Sequence, residues 1–201
     1  HEHQVDSLAQ LTVLTTYSVD TFMTLDTTTR RNLELTETIR ERSLKGSLLG
    51  VLDHTLTPMG GRLLRRWITQ PLLDIDALEE RLDAVDICFQ DMPRRVALRG
   101  LLKGFGDLER LTNRIVQGIA GPRDLIALKA ALERVTEIRR RVAELVGDAR
   151  IEGAADIYPL SDEQMPASCE EAITLISQAI VEDPPATLAN GGVIRRGFSQ
   201  E

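Results

Sequence analysis

Pro122-Arg123-Asp124-Leu125-Ile126-Ala127-Leu128-Lys129-Ala130-Ala131-Leu132-Glu133-Arg134-Val135-Thr136-Glu137-Ile138-Arg139-Arg140-Arg141-Val142-Ala143-Glu144-Leu145-Val146-Gly147 is the stretch that sets the fold class. From Arg123 to Val146 the apolar residues Leu125, Leu128, Leu132, Val135, Ile138, Val142 and Leu145 recur every three or four positions, while Arg, Lys and Glu fill the rest. That is the period of a long amphipathic helix. Gly121-Pro122 marks its start, because proline at the first helical position forgoes an N–H that has no partner there, and Gly147 marks its end.

Working outward, the same period predicts a helix over 75–90, with a seam of Ile75, Leu78, Leu82, Val85 and Phe89 and a cap from Asp74 or Asp76. Asp76 with Glu79 also fits a capping box. Thr57-Pro58 opens a helix carrying Leu63, Leu64, Trp67 and Ile68, which Gln70-Pro71 ends because a residue before proline disfavours the α region. Pro93 begins another, and Leu108, Leu111, Ile115 and Ile119 trace one more up to Gly118–Gly121. Ser168 with Glu171 reads as the capping box of a last helix bearing Ile173, Ile176 and Ile180, stopped at Pro184-Pro185. Thr21–Leu25 and Val193–Phe198 read as short strands. The segment 148–167 has no period and is expected to be an irregular loop. The fold class is therefore mainly α, a helical bundle with a short β-strand near each end.

Composition narrows the function. Lys+Arg total 24 against Asp+Glu 31, a net charge of −7, which is opposite to an autonomous nucleic-acid binder. Aromatics are 3% of 201 residues, too few for base-stacking platforms. Cys88 and Cys169 lie far apart without metal or redox spacing, which fits a reducing, cytoplasmic setting. No run approaches the ~18 apolar residues of a membrane span, and the N-terminus lacks the order of a signal peptide.

No stretch supplies an active site. A P-loop requires Gly-Lys followed by Ser or Thr, and the chain has no Gly-Lys dipeptide. Gly104-Phe105-Gly106-Asp107-Leu108 lacks the third glycine of a dinucleotide fingerprint and follows a helical pattern, so it reads as a turn between helices. His1, Glu2 and His3 sit at a terminus, a poor metal cage. His54 stands beside Asp53 with no nucleophile turn and reads as solvated or capping. Glu79-Glu80 and Glu170-Glu171 read as helix-start acids that complement the dipole. Arg62, Arg65 and Arg66, and likewise Arg139, Arg140 and Arg141, form basic clusters that could face phosphate. Pairing partners such as Glu137 for Arg141 and Glu144 for Arg140 favour a solvated face instead.

Taken together, several ordered motifs carry a family resemblance. They are Phe22-Met23-Thr24-Leu25-Asp26-Thr27-Thr28-Thr29-Arg30-Arg31-Asn32-Leu33-Glu34-Leu35, then Val51-Leu52-Asp53-His54-Thr55, and Thr57-Pro58-Met59-Gly60-Gly61-Arg62 with Leu64 and Trp67. Pro71-Leu72, Asp107-Leu108-Glu109-Arg110-Leu111, Pro122-Arg123-Asp124-Leu125, Asp183-Pro184-Pro185 and Gly191-Gly192-Val193-Ile194 continue the series. The chain resembles the first half of the core, or lever, domain of the MutS family of DNA mismatch-recognition proteins. Only 148–167 departs from the pattern.

The resemblance implies a place in a larger machine, with a mismatch-reading domain, a connector, this core, a clamp inserted in the core and an ATPase. It implies that 1–16 ends a preceding helical linker and that 186–201 enters the clamp. The mismatch-reading Phe-x-Glu and the P-loop are absent from these 201 residues, so no catalytic, cofactor or metal residue is expected here. ATP and magnesium are expected of the full-length parent, as are a MutS homodimer, mismatched double-stranded DNA and MutL as partners. Asp26, Thr29, Asn32, Glu34, Pro58, Gly60, Arg62, Trp67, Asp107, Glu109 and Arg110 are the implied structural signature. Thr29, Asn32, Glu34, Arg62 and Glu109 are expected to hold helix junctions, and Arg195 and Arg196 are candidates for phosphate contact.

The function expected is to couple ATPase state to the clamp. The competing reading is a free-standing helical protein-interaction module, with a small helical enzyme third. Completeness separates the first two: a piece of a larger core leaves apolar helix faces uncovered, whereas a module unfolds as a cooperative monomer.

Overall fold

The structure is a computed structural model, described here for residues 22–147, 168–185 and 191–198. Among these residues lie eight helices: α1 (Thr27–Asn32), α2 (Leu48–Leu52), α3 (Pro58–Thr69), α4 (Ile75–Gln90), α5 (Met92–Leu102), α6 (Leu108–Val116), α7 (Pro122–Gly147) and α8 (Ser168–Ala179). The expected linker at 1–16 and loop at 148–167 lie outside the described residues, as does part of the 186–201 stretch.

Each of the first six helices begins at a side-chain cap. Asp26, Ser47, Thr57, Asp74, Asp91 and Asp107 accept from the amide three residues on, which satisfies an N–H that would otherwise have no helical partner. Asp74 is therefore the cap of α4, and Asp76 lies inside its first turn, so the Asp76–Glu79 capping box does not form. Glu79 and Glu80 fall in the second turn, too far along to act as helix-start acids, whereas Glu170 and Glu171 do occupy the first turn of α8. The side chain of Ser168, the expected cap of α8, lies outside the described residues.

Helix α7 is the spine, against which α4, α5, α6 and α8 all pack. Its seam turns inward along its whole length: Leu125, Leu128, Leu132, Val135, Ile138 and Val142 are half-buried and Leu145 is buried. Ala131 is also buried there, where a small side chain lets a neighbour approach closely. At the far end, Ile176, Ala179 and Ile180 of α8 and its exit close with Val193 over Leu125, Ile126 and Leu128.

Three features differ from expectation. Helix α6 ends at Val116, because Gly118 at φ +68° closes it with bonds from Gly118 N–H to Ile115 C=O and from Ile119 N–H to Arg114 C=O. Ile119 therefore lies beyond the helix and is exposed. The two extended segments each make a single antiparallel bridge, Phe22 with Leu72 and Ile180 with Ile194. Pro71 has no N–H with which to extend the first ladder, and a turn at Arg195–Phe198 around Gly197 ends the second. The third difference is the α4 seam: Ile75, Leu78, Leu82, Val85 and Phe89 all face solvent, and the one buried apolar residue of α4 is Ile87.

Candidate functional site

The signature residues separate into three places. The first is the turn after α1. Asp26 accepts from Thr29 N–H, and this bond holds the Asp26 carboxyl below its ordinary range. Asn32 closes the helix at the surface. Leu35 N–H then bonds Arg30 C=O and Glu34 N–H bonds Arg31 C=O, a Schellman closure that puts Glu34 in the left-handed region at φ +47°. Glycine usually holds that position, and a side chain there costs about 1–2 kcal/mol. Glu34 offsets the cost with two contacts across the loop: its carboxylate accepts from Ile39 N–H at 2.7 Å and its carbonyl from Leu48 N–H at 3.0 Å.

The second place is the junction of α3 and α6. Pro58 stands in the first turn of α3, and Gly60 N–H bonds the Thr57 hydroxyl. One turn later Arg62 reaches α6. Its Nη1 and Nη2 donate to the two oxygens of Asp107, each at 2.8 Å, and its Nε donates to Glu109 Oε2 at 2.9 Å. The guanidinium thus makes a two-pronged grip on one carboxylate and touches a second. Asp107 is also the cap of α6, accepting from Arg110 N–H, so one side chain starts the helix and ties it to α3. Asp107 is only 14% exposed, and its carboxyl is held down at about 2, first by the Arg62 bonds and also by the Arg110 amide. The same bonds push the Arg62 guanidinium up. Of the Arg62, Arg65 and Arg66 cluster, Arg62 is therefore committed to a junction.

The third place is the groove between α3 and α4, where the Arg81 guanidinium lies 4.0 Å from the centre of the Trp67 ring. A cavity of about 690 Å³ runs beside this pair, lined by Leu72, Ala84, Val85, Cys88 and Phe89 among others. Cys88 and Cys169 are both free thiols, and burial pushes the Cys88 thiol up.

Of the phosphate candidates, Arg195 is already engaged. Its Nε donates to Ile180 C=O at 2.8 Å and its guanidinium pairs with Glu182, so it locks the exit of α8; Arg196 is exposed. On α7, Arg140 and Arg141 each pair with both Glu137 and Glu144. Bonds from Arg140 and then Arg141 hold the Glu137 carboxyl at about 2. His54 is exposed, and it is its carbonyl that works, accepting from both terminal nitrogens of Arg99. His1–His3 lie outside the described residues.

A set of junction residues carries no sequence signal of its own. Arg114 Nε donates to Asp124 at 2.9 Å, and the same carboxylate oxygen accepts from Gly121 N–H, which joins α6 to the start of α7. The Gly121 amide and then Arg114 hold Asp124 below its ordinary range. Arg94 donates to Glu144 C=O, Arg123 to Pro184 C=O and Arg134 to Gly104 C=O, bonds that bridge 50, 61 and 30 residues. Each cross-links two elements through a carbonyl, which is invisible in the side-chain sequence. The one available hint is composition: arginine, with its fork of donors, supplies 21 of the 24 basic residues.

With this geometry in place, the comparisons with known proteins are decisive. A family model for MutS domain III matches residues 28–196. The chain belongs to the MutS family. Among proteins named DNA mismatch repair protein MutS, that of Acetivibrio thermocellus is 40% identical over 97% of the chain. Those of Brevibacillus brevis and Synechococcus elongatus are each 44% identical over 98% of it. The chain spans about a fifth of these MutS proteins, 21%, 22% and 21% of their lengths. Both junction groups, Asp26 to Glu34 and Arg62 to Arg110, fall within or beside the matched MutS segment. No helix among the described residues is long and apolar enough to cross a membrane.

Proposed function

We propose that this chain is the force-transmitting core segment of a DNA mismatch-repair protein, coupling an ATPase elsewhere in the polypeptide to a clamp on DNA. The observation that carries the reading is the way α7 is held. Arg114 and Arg123 grip its start, Arg134 its middle and Arg94 its end, each to a different element. A 26-residue helix is roughly 39 Å long at 1.5 Å per residue. A rod fixed at three levels passes displacement along its axis, and packed helices move between discrete arrangements more readily than they bend. ATP with magnesium, a second MutS chain, mismatched DNA and MutL are partners of the whole protein in this reading, and the core supplies no catalytic group.

The uncovered α4 seam supports it further, since a piece of a larger core leaves apolar faces bare. A chimera tests the proposal. This chain replaces the matched segment of the Acetivibrio thermocellus protein, and the chimera is introduced into cells lacking their own MutS. The proposal expects a low mutation rate to return, and expects Arg62→Glu in the chimera to leave ATP hydrolysis intact while ATP no longer releases the protein from mismatched DNA. A folded chimera that leaves the mutation rate high would overturn the reading in favour of a free-standing interaction module.

A further inference from the structure

We propose that α6 is a linking strut through which α3 sets the position of the start of α7, and that Arg114 is the positioning residue at its far end. The two ends of α6 are tied by pairs of the same build. At the first end, Arg62 of α3 grips Asp107 with two bonds of 2.8 Å, and Asp107 also accepts from Arg110 N–H to start α6. At the second end, Arg114 of α6 donates from Nε to Asp124 at 2.9 Å. The same Asp124 oxygen accepts from Gly121 N–H at 2.9 Å, in the turn into α7. In each pair an arginine of one helix holds the aspartate that shapes the beginning of the next in the series. The order α3, α6, α7 is thus joined by side-chain grips, and Arg123 in the first turn of α7 carries it on to the Pro184 carbonyl beyond α8.

Between the grips the backbone has room to turn. Gly104 before α6 stands at φ +72° and Gly118 after it at φ +68°, and nothing lies within 4 Å of where a side chain would begin at either. The turn before α6 is steadied by Arg134 of α7, which donates to the Gly104 carbonyl, so the Gly118 turn is the pivot. That turn has no apolar anchor, since Val116 and Ile119 on its two sides are both exposed. What fixes its angle is the fork of Arg114, whose Nε holds Asp124 while its Nη2 donates to Ile119 C=O at 3.1 Å. The planar guanidinium spans the corner; the single ammonium of a lysine would keep the charge but lose the two-sided hold. On the core-segment reading above, on which this consequence rests, a shift of α3 reaches the α7 rod through both grips, and Arg114 decides whether it is passed on.

The test reads the start of α7 directly, through the backbone amide resonances of Gly121, Asp124 and Leu125 in the 201-residue chain. Arg62→Met frees α3 from α6 and is expected to move all three, although the bonds of Arg62 end on Asp107 and Glu109. Arg114→Met cuts the strut from α7, so adding Arg62→Met to it is expected to move them no further, a non-additivity that a merely structural role would not produce. Arg114→Lys takes the place of the methionine variant if far-ultraviolet dichroism shows that helix has been lost. Resonances that ignore Arg62→Met, or that respond to it equally once Arg114 is replaced, would overturn the proposal. In the chimera, Arg114→Lys is expected to slow ATP-driven release from mismatched DNA about fivefold while hydrolysis stays within about twofold. Release that is unchanged, or that falls only in step with hydrolysis, would also overturn it. Each of these failures leaves the return of a low mutation rate in the unmutated chimera, and with it the core reading, standing.

Discussion

Helices α4 and α7 carry the same message in sequence and meet opposite fates in the fold. Both show an apolar seam at three- and four-residue spacing. In α7 the seam is covered from Leu125 to Leu145 by four other helices, while in α4 Leu82 is 67% exposed and Leu145 of α7 is 5% exposed. The difference teaches what periodicity can and cannot establish. It identifies a face that must be covered, but the cover can come from inside the folded unit or from outside it. In α7 it comes from inside, and the arginine bonds to Gly104, Pro184 and Glu144 carbonyls fix the covering elements in place. In α4 the docked side is narrow, marked by Ile87, and the wide apolar side is left open.

The largest effect is expected where the seam is covered. Leu145→Ala removes a buried side chain from the end of α7, and such truncations cost about 2–5 kcal/mol. Urea unfolding should show it as a large drop in midpoint at unchanged slope. A loss below roughly 1 kcal/mol would mean that the α7 seam is loosely covered and that the contrast with α4 is false. A smaller loss is expected where α6 is tied down. Asp107→Ala deletes a helix cap, worth about 1 kcal/mol, and also releases Arg62 from its two-pronged bond. Asp107→Asn keeps an acceptor for the Arg110 amide while removing the charge, so it should retain most of the cap and lose the grip on Arg62. The two variants separate the roles by their urea midpoints; if they fall equally, the cap carries nothing.

The grip also has a pH signature. The folded Asp107 carboxyl lies at about 2 against an ordinary 3.8, so the unfolded chain binds the proton first as pH falls. Its contribution is therefore present in full above about pH 4 and is lost between roughly pH 4 and 2. Arg62→Met removes the main cause of the depression, so the gap in melting temperature between parent and variant should narrow across that window. It should also shrink with added salt, since the guanidinium is about half exposed. A gap that stays constant from pH 5 to 2 would assign the effect of Arg62 to packing of its stem instead.

Much of the helical frame was legible from residues. Thr57-Pro58, Asp74 and Gly121-Pro122 mark helix starts at the observed positions, because caps and breakers act within one turn and need no tertiary information. Helices α1 and α2 escaped notice because one or two turns are too short to show a period. Glu34 is marked by the family resemblance and not by its local pattern, because the left-handed turn it occupies calls for glycine and what supports it is an amide five residues on. The Arg62 junction spans 45 and 47 residues, and only the family resemblance pointed to both ends. The bonds from Arg94, Arg99, Arg123 and Arg134 end on carbonyls, which every residue possesses, so no pattern of side chains could announce them.

The smallest effect should come from the same truncation placed on the other helix. Leu82→Ala removes as many atoms as Leu145→Ala, but from a side chain already in water, so no cavity forms and little transfer energy is lost. Alanine is also the better helix former, by a few tenths of a kcal/mol, which opposes whatever contact is lost. The net change in stability of the 201-residue chain is expected within about 0.5 kcal/mol of zero. Protein concentration then sharpens the comparison. If copies of the chain cover the stripe for one another, the melting temperature of the parent rises with concentration and Leu82→Ala abolishes that rise. If copies do not cover it, both proteins melt at concentration-independent temperatures and the cost at Leu82 stays near zero, because the seam of α4 has no cover to lose within this chain.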